Sequence, residues 1–306
     1  MPNLTIKDIA RLSGCSVSTI SRVINDRPDV RPETKEKVLQ VMRESGFVPN
    51  TNARQLKIQQ SRSLVFVVKG TRNLFFSDFL VQLHREIKPK GMIFLGGSVA
   101  NFRQGFSNIT VPSVLATLVS DELDFPNLSM VGVDDRAAAR TAVSHLLAQG
   151  HRKIAVLGGP ATSYPSRMRR LGAQEAMEDA GLAFDDRLYG LSNYDFESAY
   201  HAMNSLLARR AEFTALFAMS DVIAFGAIRA LVSAGLRVPE DVSVIGFDGI
   251  TMSRYCVPVM TTIVQPSEQI ALQSVELLMR QIEHGAPAQK ITLQPELQFG
   301  ESVRAI

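Results

Sequence analysis

Between Thr5 and Asn25 the apolar positions recur three and four residues apart. Ile6, Ile9 and Ala10 form one stripe and Ile20, Val23 and Ile24 a second, a pattern that predicts two short amphipathic helices. Gly14 stands between them, where a turn favours a residue without a Cβ. Thr5, with Asp8 three residues on, has the form of a capping box, and Ser16 precedes the second run as an N-cap. The second helix leaves Val17, Ser18, Ser21, Arg22 and Asn25 outside. That face is short and polar with one long cation, and it suits a recognition helix whose first residues meet base edges in a major groove. A third helix is expected from about Pro32 to Ser45, with Val38, Leu39 and Met42 on one side. Taken alone, such helices could also be a small bundle with a solvated face.

From Leu64 onward the period changes. Short apolar runs at Leu64–Val68, Met92–Leu95, Ser113–Thr117, Met130–Val133, Ile154–Leu157, Tyr189–Leu191, Ala215–Ala218, Val242–Phe247 and Thr261–Val264 read as strands. Amphipathic helices are expected at Ala137–Ala148, Met168–Ala180, Ser198–Arg209, Val222–Ser233 and Ser267–Glu283. Buried strands alternating with helices argue for parallel α/β sheets covered on both faces. The segment from Asn50 to Ser63 is polar and separates the two patterns.

Composition sharpens this little, but charge does. The 306 residues suffice for two or three domains, and no apolar run is long enough to span a bilayer. Cys15 and Cys256 are far apart, as expected of reduced thiols in the cytoplasm. Residues 1–60 hold ten Lys/Arg against six Asp/Glu, whereas the whole chain is only +3, so the positive excess sits on the helical head. A module that meets phosphates needs this distribution.

With Gly46-Phe47-Val48-Pro49-Asn50 and Thr51-Asn52-Ala53-Arg54-Gln55-Leu56-Lys57 added, residues 4–57 resemble the head and hinge of the LacI/GalR family of bacterial transcription regulators. Arg31 departs from the pattern, since a small capping residue usually precedes Pro32 there. Gly150–Gly159, Val238–Asp248 and Pro258–Gln265 resemble the family's core. The resemblance implies a helix-turn-helix head at 1–49, a hinge helix at 50–62, and a periplasmic-binding-protein-like effector domain of two parallel-sheet lobes at 63–306. It places the first lobe at about 63–160 and 265–284, and the second at about 161–264 and 285–306, with crossings near Pro160 and Gln265. One step is missing. Only about one helix, Ser77 to Ile87, separates the first two strands, where the family pattern has helix, edge strand and second helix. The lobe can still close, because strands 1 and 3 are neighbours in a 2-1-3-4-5 sheet. A right-handed crossover then puts the surviving helix on the face where the second helix normally packs.

The resemblance assigns DNA contacts to Thr5, Ser16, Val17, Ser18, Thr19, Ser21, Arg22 and Asn25, and to Asn50, Ala53 and Leu56 in the hinge. Leu56 would be an apolar wedge at a minor-groove base step. For the effector it implies Arg169, able to hold vicinal hydroxyls or a carboxylate with two parallel bonds. Asp248 would accept from hydroxyls at the carboxyl end of a strand, and Tyr194 would stack on a flat ligand face. Phe75 and Phe76 would wall the pocket, and Ser220 stands where asparagine is common. The implied partners are a palindromic double-stranded operator, a small sugar-like effector and a second copy of the chain, with no cofactor and no membrane.

Enzyme signatures are weak. The pairs Gly96-Gly97 and Gly158-Gly159 form neither a dinucleotide fingerprint nor a Walker loop, and the five histidines show no metal-ligand spacing. A cytoplasmic sugar- or nucleotide-processing enzyme with a DNA-binding head stands as the alternative, and a sugar-binding protein without regulation as a third reading.

Overall fold

The computed structural model describes residues 5–24, 30–45, 47, 63–68, 89–96 and 99–306. The chain divides into two units, Met1–Ser61 and Arg62–Ile306. In the first, α1 (Ile6–Ser13), α2 (Val17–Ile24) and α3 (Pro32–Ser45) enclose Ile9, Ala10, Ile20, Val23, Val38 and Met42. The turn chemistry is local. The Thr5 N–H and hydroxyl both donate to Asp8 Oδ2, at 2.9 and 2.7 Å. Gly14 ends α1 in the left-handed region at φ 64°. Ser16 Oγ accepts the Thr19 N–H at 3.1 Å and so caps α2. Ile6 and Leu39, expected in the core, are 38% and 36% exposed. Three short helices cannot cover the full width of each apolar stripe.

The second unit holds two sheets. The first runs β1 (Leu64–Val68), β2 (Gly91–Leu95), β3 (Ser113–Ala116), β4 (Leu128–Val133) and β10 (Lys290–Leu293), all parallel. α4 (Val99–Gly105) follows β2. The second sheet has the order β11 (Glu296–Gln298), β9 (Thr261–Val264), β8 (Ser243–Asp248), β7 (Ala215–Ala218), β5 (Ile154–Gly158) and β6 (Tyr189–Leu191), with only β11 antiparallel. Its helices are α5 (Asp135–Ala148), α6 (Tyr164–Asp179), α7 (Phe196–Ala208) and α8 (Asp221–Ser233). α9 (Ser267–His284) returns to the first sheet. The expected strands all form, their ends shifted by no more than two residues. β1 pairs directly with β2, Leu64 opposite Gly91, and stands at the sheet edge. The expected helix Ser77–Ile87 lies outside the described residues.

The lobe boundaries differ from the expectation. The first crossing is not near Pro160, because β5 already belongs to the second sheet. α5 also buries Ala138, Ala139, Ala142, Val143 and Leu146 against that sheet's core. The chain therefore crosses between Val133 and Asp135. Nor does everything after His284 belong to the second lobe: β10 pairs with β4, and only β11 pairs with β9. The first crossing is a single residue, Asp134, whose side chain also caps α5, so the pattern of residues does not set it apart from an ordinary strand-to-helix turn.

Candidate functional site

On the head, the candidate DNA contacts are set by the caps. Because Ser16 fixes the start of α2, Val17, Ser18, Ser21 and Arg22 fall on one exposed side while Ile20 and Val23 face inward. Val17 is 45% exposed. Thr19 is half-buried, and Ser16 Oγ bonds to its hydroxyl at 2.8 Å and to that of Ser18 at 2.7 Å. Thr5 is exposed and committed to Asp8. Asn25, Asn50, Ala53 and Leu56 lie outside the described residues, as do Phe75 and Phe76 of the effector site.

In the second unit the structure brings Arg169 and Asp248 together. Arg169 sits on α6, whose close approach to α5 depends on Gly172: a Cβ there would lie 2.0 Å from Arg136 O. The neighbours Arg167 and Arg170 reach out to Glu122 and Asp186, whereas Arg169 turns inward and is 6% exposed. Its Nε donates to Asp135 Oδ1 at 2.8 Å, its Nη1 donates to Met219 O, and its guanidinium lies 3.6 Å from the centre of the Phe247 ring. Nη1 stands 3.7 Å from Asp248 Oδ1.

Two carboxylates thus share one guanidinium. Burial works against the Arg169 charge, but the field of Asp135, with smaller contributions from Tyr194 and Asp248, outweighs it and raises its pKa. Burial also pushes both carboxyls up, and Arg169 offsets this only in part.

Asp248 ends β8 at φ 109°, an unfavourable conformation for a residue with a Cβ. Two hydrogen bonds from Gln265 hold it there, and Asp221 ties down the turn that follows. Gln265 donates Nε2 to Asp248 Oδ1 at 2.8 Å and its N–H to Asp248 O at 3.1 Å. Asp221, fully buried at the start of α8, accepts the Ile250 N–H at 2.8 Å and the Thr262 hydroxyl at 2.6 Å. Burial raises the Asp221 pKa to about 6.

Tyr194 packs against Gly159, where a Cβ would come within 1.9 Å of its ring, and its hydroxyl bonds to Ser166 Oγ at 2.7 Å. Ser220 is 3% exposed, and its Oγ accepts the Ile223 N–H at 3.1 Å, so its hydroxyl serves as the N-cap of α8. The chain pattern missed Asp135, Ser166, Asp221 and Gln265. Of these, Asp221 alone carries a sequence signal, as an acid opening an apolar helix, and that signal points to the helix end.

Comparison with known proteins fits both units. Residues 5–50 match the model of bacterial regulatory proteins of the lacI family, and residues 143–303 match a periplasmic binding protein-like domain. The HTH-type transcriptional regulator MalR of Clostridium butyricum is 35% identical, covering 96% of this chain and 97% of that protein. The transcriptional repressor PurR of Haemophilus influenzae is 32% identical, covering 99% of each. That alignment runs over 333 positions, longer than the 306-residue chain, so the relative carries residues with no counterpart here. Among solved structures, a CelR–cellobiose complex matches at TM-score 0.73 with 26% identity, over 98% of this chain and 99% of that one. A lac repressor dimer bound to operator and an anti-inducer matches at TM-score 0.83 with 24% identity, over 99% of this chain and 100% of that one.

Proposed function

Because the chain belongs to the lacI family of bacterial regulatory proteins, we propose that it is a cytoplasmic repressor of transcription, not an enzyme, that binds a palindromic operator as a dimer and responds to a small sugar-like effector. The observation that carries this reading is the exposed row Val17, Ser18, Ser21 and Arg22 on a helix whose start and turn are fixed by Ser16 and Gly14. An arginine there can meet guanine O6 and N7 with two bonds, and a valine can meet a thymine methyl. Residues 1–49 form the head, 50–62 the hinge with Leu56 as its wedge, and 63–306 the effector and dimerisation domain. Within that domain Arg169, Tyr194 and Asp248 form the polar side of the effector site, and Phe75 and Phe76 its apolar wall. CelR, solved with cellobiose, supports a sugar-like ligand.

The test is a selection from random duplex DNA with the full chain, followed by a thermal-shift screen of sugars, sugar phosphates and nucleobases. A recovered palindrome and a stabilising ligand that changes operator affinity support the reading. Turnover of that ligand, with no duplex selected, would overturn it.

A further inference from the structure

Residues 299–306 form neither helix nor strand, yet they run across the second sheet as a strap held by hydrogen bonds along its length. The Gly300 N–H donates to Thr261 Oγ1 at 3.0 Å, and those of Glu301 and Ser302 donate to Val259 O at 2.7 and 3.0 Å. Ser302 is fully buried; its carbonyl accepts the Val244 N–H at 2.7 Å and its Oγ the Thr261 N–H at 2.8 Å. Farther on, the Arg304 N–H donates to Ser243 Oγ at 3.0 Å and the Ile306 N–H to Gln149 O at 2.9 Å. Only a residue without a side chain fits beneath Ile306: at Gly150 a Cβ would lie 2.5 Å from Ile306 O.

His151 meets this strap and is 1% exposed. Its Nε2 stands 3.1 Å from Arg304 O and its Nδ1 2.9 Å from Thr214 Oγ1. A carbonyl only accepts, so Nε2 carries the hydrogen and Nδ1 accepts from the Thr214 hydroxyl. The neutral ring is thus satisfied on both sides. A proton added at Nδ1 would face the Thr214 hydroxyl hydrogen, in a site closed to water. The charged and titratable groups around the ring are Arg304 on the strap and His145 on α5. Beside them Arg152 donates to His151 O at 3.0 Å, and Lys153 is drawn off to Glu212 at 2.6 Å. Burial lowers the His151 pKa, the bond to Arg304 O offsets this in part, and the charges of Arg304 and His145 add to the fall.

We propose that His151 is an acid-sensitive catch, which holds the strap 299–306 closed while neutral and, below neutral pH, releases it together with the stretch around Val259 that the strap pins. The catch does not depend on the regulator reading. Opening the strap gives the ring to water at its ordinary pKa of about 6.5, whereas the closed form keeps it neutral to lower pH. Closure is therefore complete above about pH 7, weakens as pH falls through about 6.5, and levels off below the pKa of the closed form. At pH 5.5 the open fraction should exceed that at pH 7.5 by up to about tenfold.

The test is amide hydrogen exchange of the full chain at about pH 7.5 and 5.5, read by mass spectrometry with the intrinsic pH dependence of exchange divided out. Peptides covering 299–306 and 257–262 should lose up to about tenfold of their protection at the lower pH, while those of β5 and β7 keep theirs. His151→Gln can still donate to Arg304 O and takes up no proton, so it should keep the protection of wild type at pH 7.5 under both conditions. Arg304→Met retains the carbonyl and removes the charge, so the response should shrink. His145, whose ring lies 5.3 Å from that of Phe299 at the start of the strap, is the competing titrating group; His145→Gln should leave the response intact. Should His151→Gln fail to fold or leave the strap open throughout, the wild-type ring decides: its Cε1–H resonance should titrate below the ordinary histidine value. A resonance at or above that value overturns the catch. So does equal strap protection at both pH values in wild type, a response that survives in folded His151→Gln, or one that disappears with His145→Gln.

Discussion

Arg169 donates from Nε to Asp135 Oδ1 at 2.8 Å, and both side chains are buried, 7% and 5% exposed. The pair joins α6 to the first turn of α5, immediately after the chain has crossed from the first sheet to the second. An arginine assigned to the effector is thus also part of the scaffold, and substitutions there act on both.

Arg169→Ala should therefore destabilise the effector domain by about 3–5 kcal/mol, because it strands the buried Asp135 carboxylate. Removing both partners in Arg169→Leu/Asp135→Leu should cost less than the arginine substitution alone. Urea unfolding of the three chains measures this. An Arg169→Ala midpoint equal to wild type would show that the pair adds nothing to stability. Asp248→Asn, partly exposed and still able to accept from Gln265, should keep the fold while weakening the effector.

Asp221 predicts a pH dependence with an unusual sign. Its pKa is raised from 3.8 in the unfolded chain to about 6 in the fold, mainly by burial. Between these values the native state holds the proton more tightly, so stability falls as pH rises from about 4 to about 6 and then levels off. The full cost of the buried charge is about 3 kcal/mol. Asp221→Asn should remove this decline, and urea midpoints taken from pH 4 to pH 7 would show it. Parallel profiles for both chains would contradict the assignment.

Gly159→Ala tests the Tyr194 seat. The new methyl meets the ring, so the ring must move and its bond to Ser166 must break. Effector affinity should fall by about tenfold or more, while operator affinity without effector stays the same. Unchanged effector affinity would take Tyr194 out of the site.

The head was legible because its signals are local. Thr5 with Asp8, Gly14 and Ser16 each act within four residues, and each does what its residue type suggests. The strands were legible because a buried parallel strand is an unbroken apolar run. β10 and β11 were not, since Lys290–Leu293 and Glu296–Gln298 are short and partly exposed. Arg169 and Asp248 were reached through family resemblance, and they do meet. Asp135 was not, because its partner lies 34 residues away and the contact exists only once α5 and α6 pack together. Ser220 carries two readings: as a serine before an apolar helical run it caps α8 through its Oγ, and its place at the effector rests on the resemblance alone.

The edge position of β1 bears on coupling. Among the described residues no further strand lies outside it, so the described part of the first lobe offers less surface for a dimer to share, and an allosteric response needs an element that both ligands bias. Meanwhile Tyr255 and Val257 of the second lobe are 80% and 94% exposed and available for that role. Effector should shift operator affinity by less than the roughly fivefold at the low end of allosteric coupling, and Tyr255→Asp should dissociate the dimer. A larger shift, or a dimer indifferent to that change, would show the shortened lobe to be fully competent.

Arg22 is the residue through which α2 would read DNA. The measurement is a binding-site selection and affinity determination at fixed salt for wild type, Arg22→Ala and Lys7→Ala. Arg22→Ala should lose about 1–3 kcal/mol on the selected palindrome and relax preference at one base pair per half-site. Lys7→Ala should weaken all sequences alike, as loss of a phosphate contact does. If Arg22→Ala keeps both the affinity and the base preference of wild type, α2 is not the recognition helix.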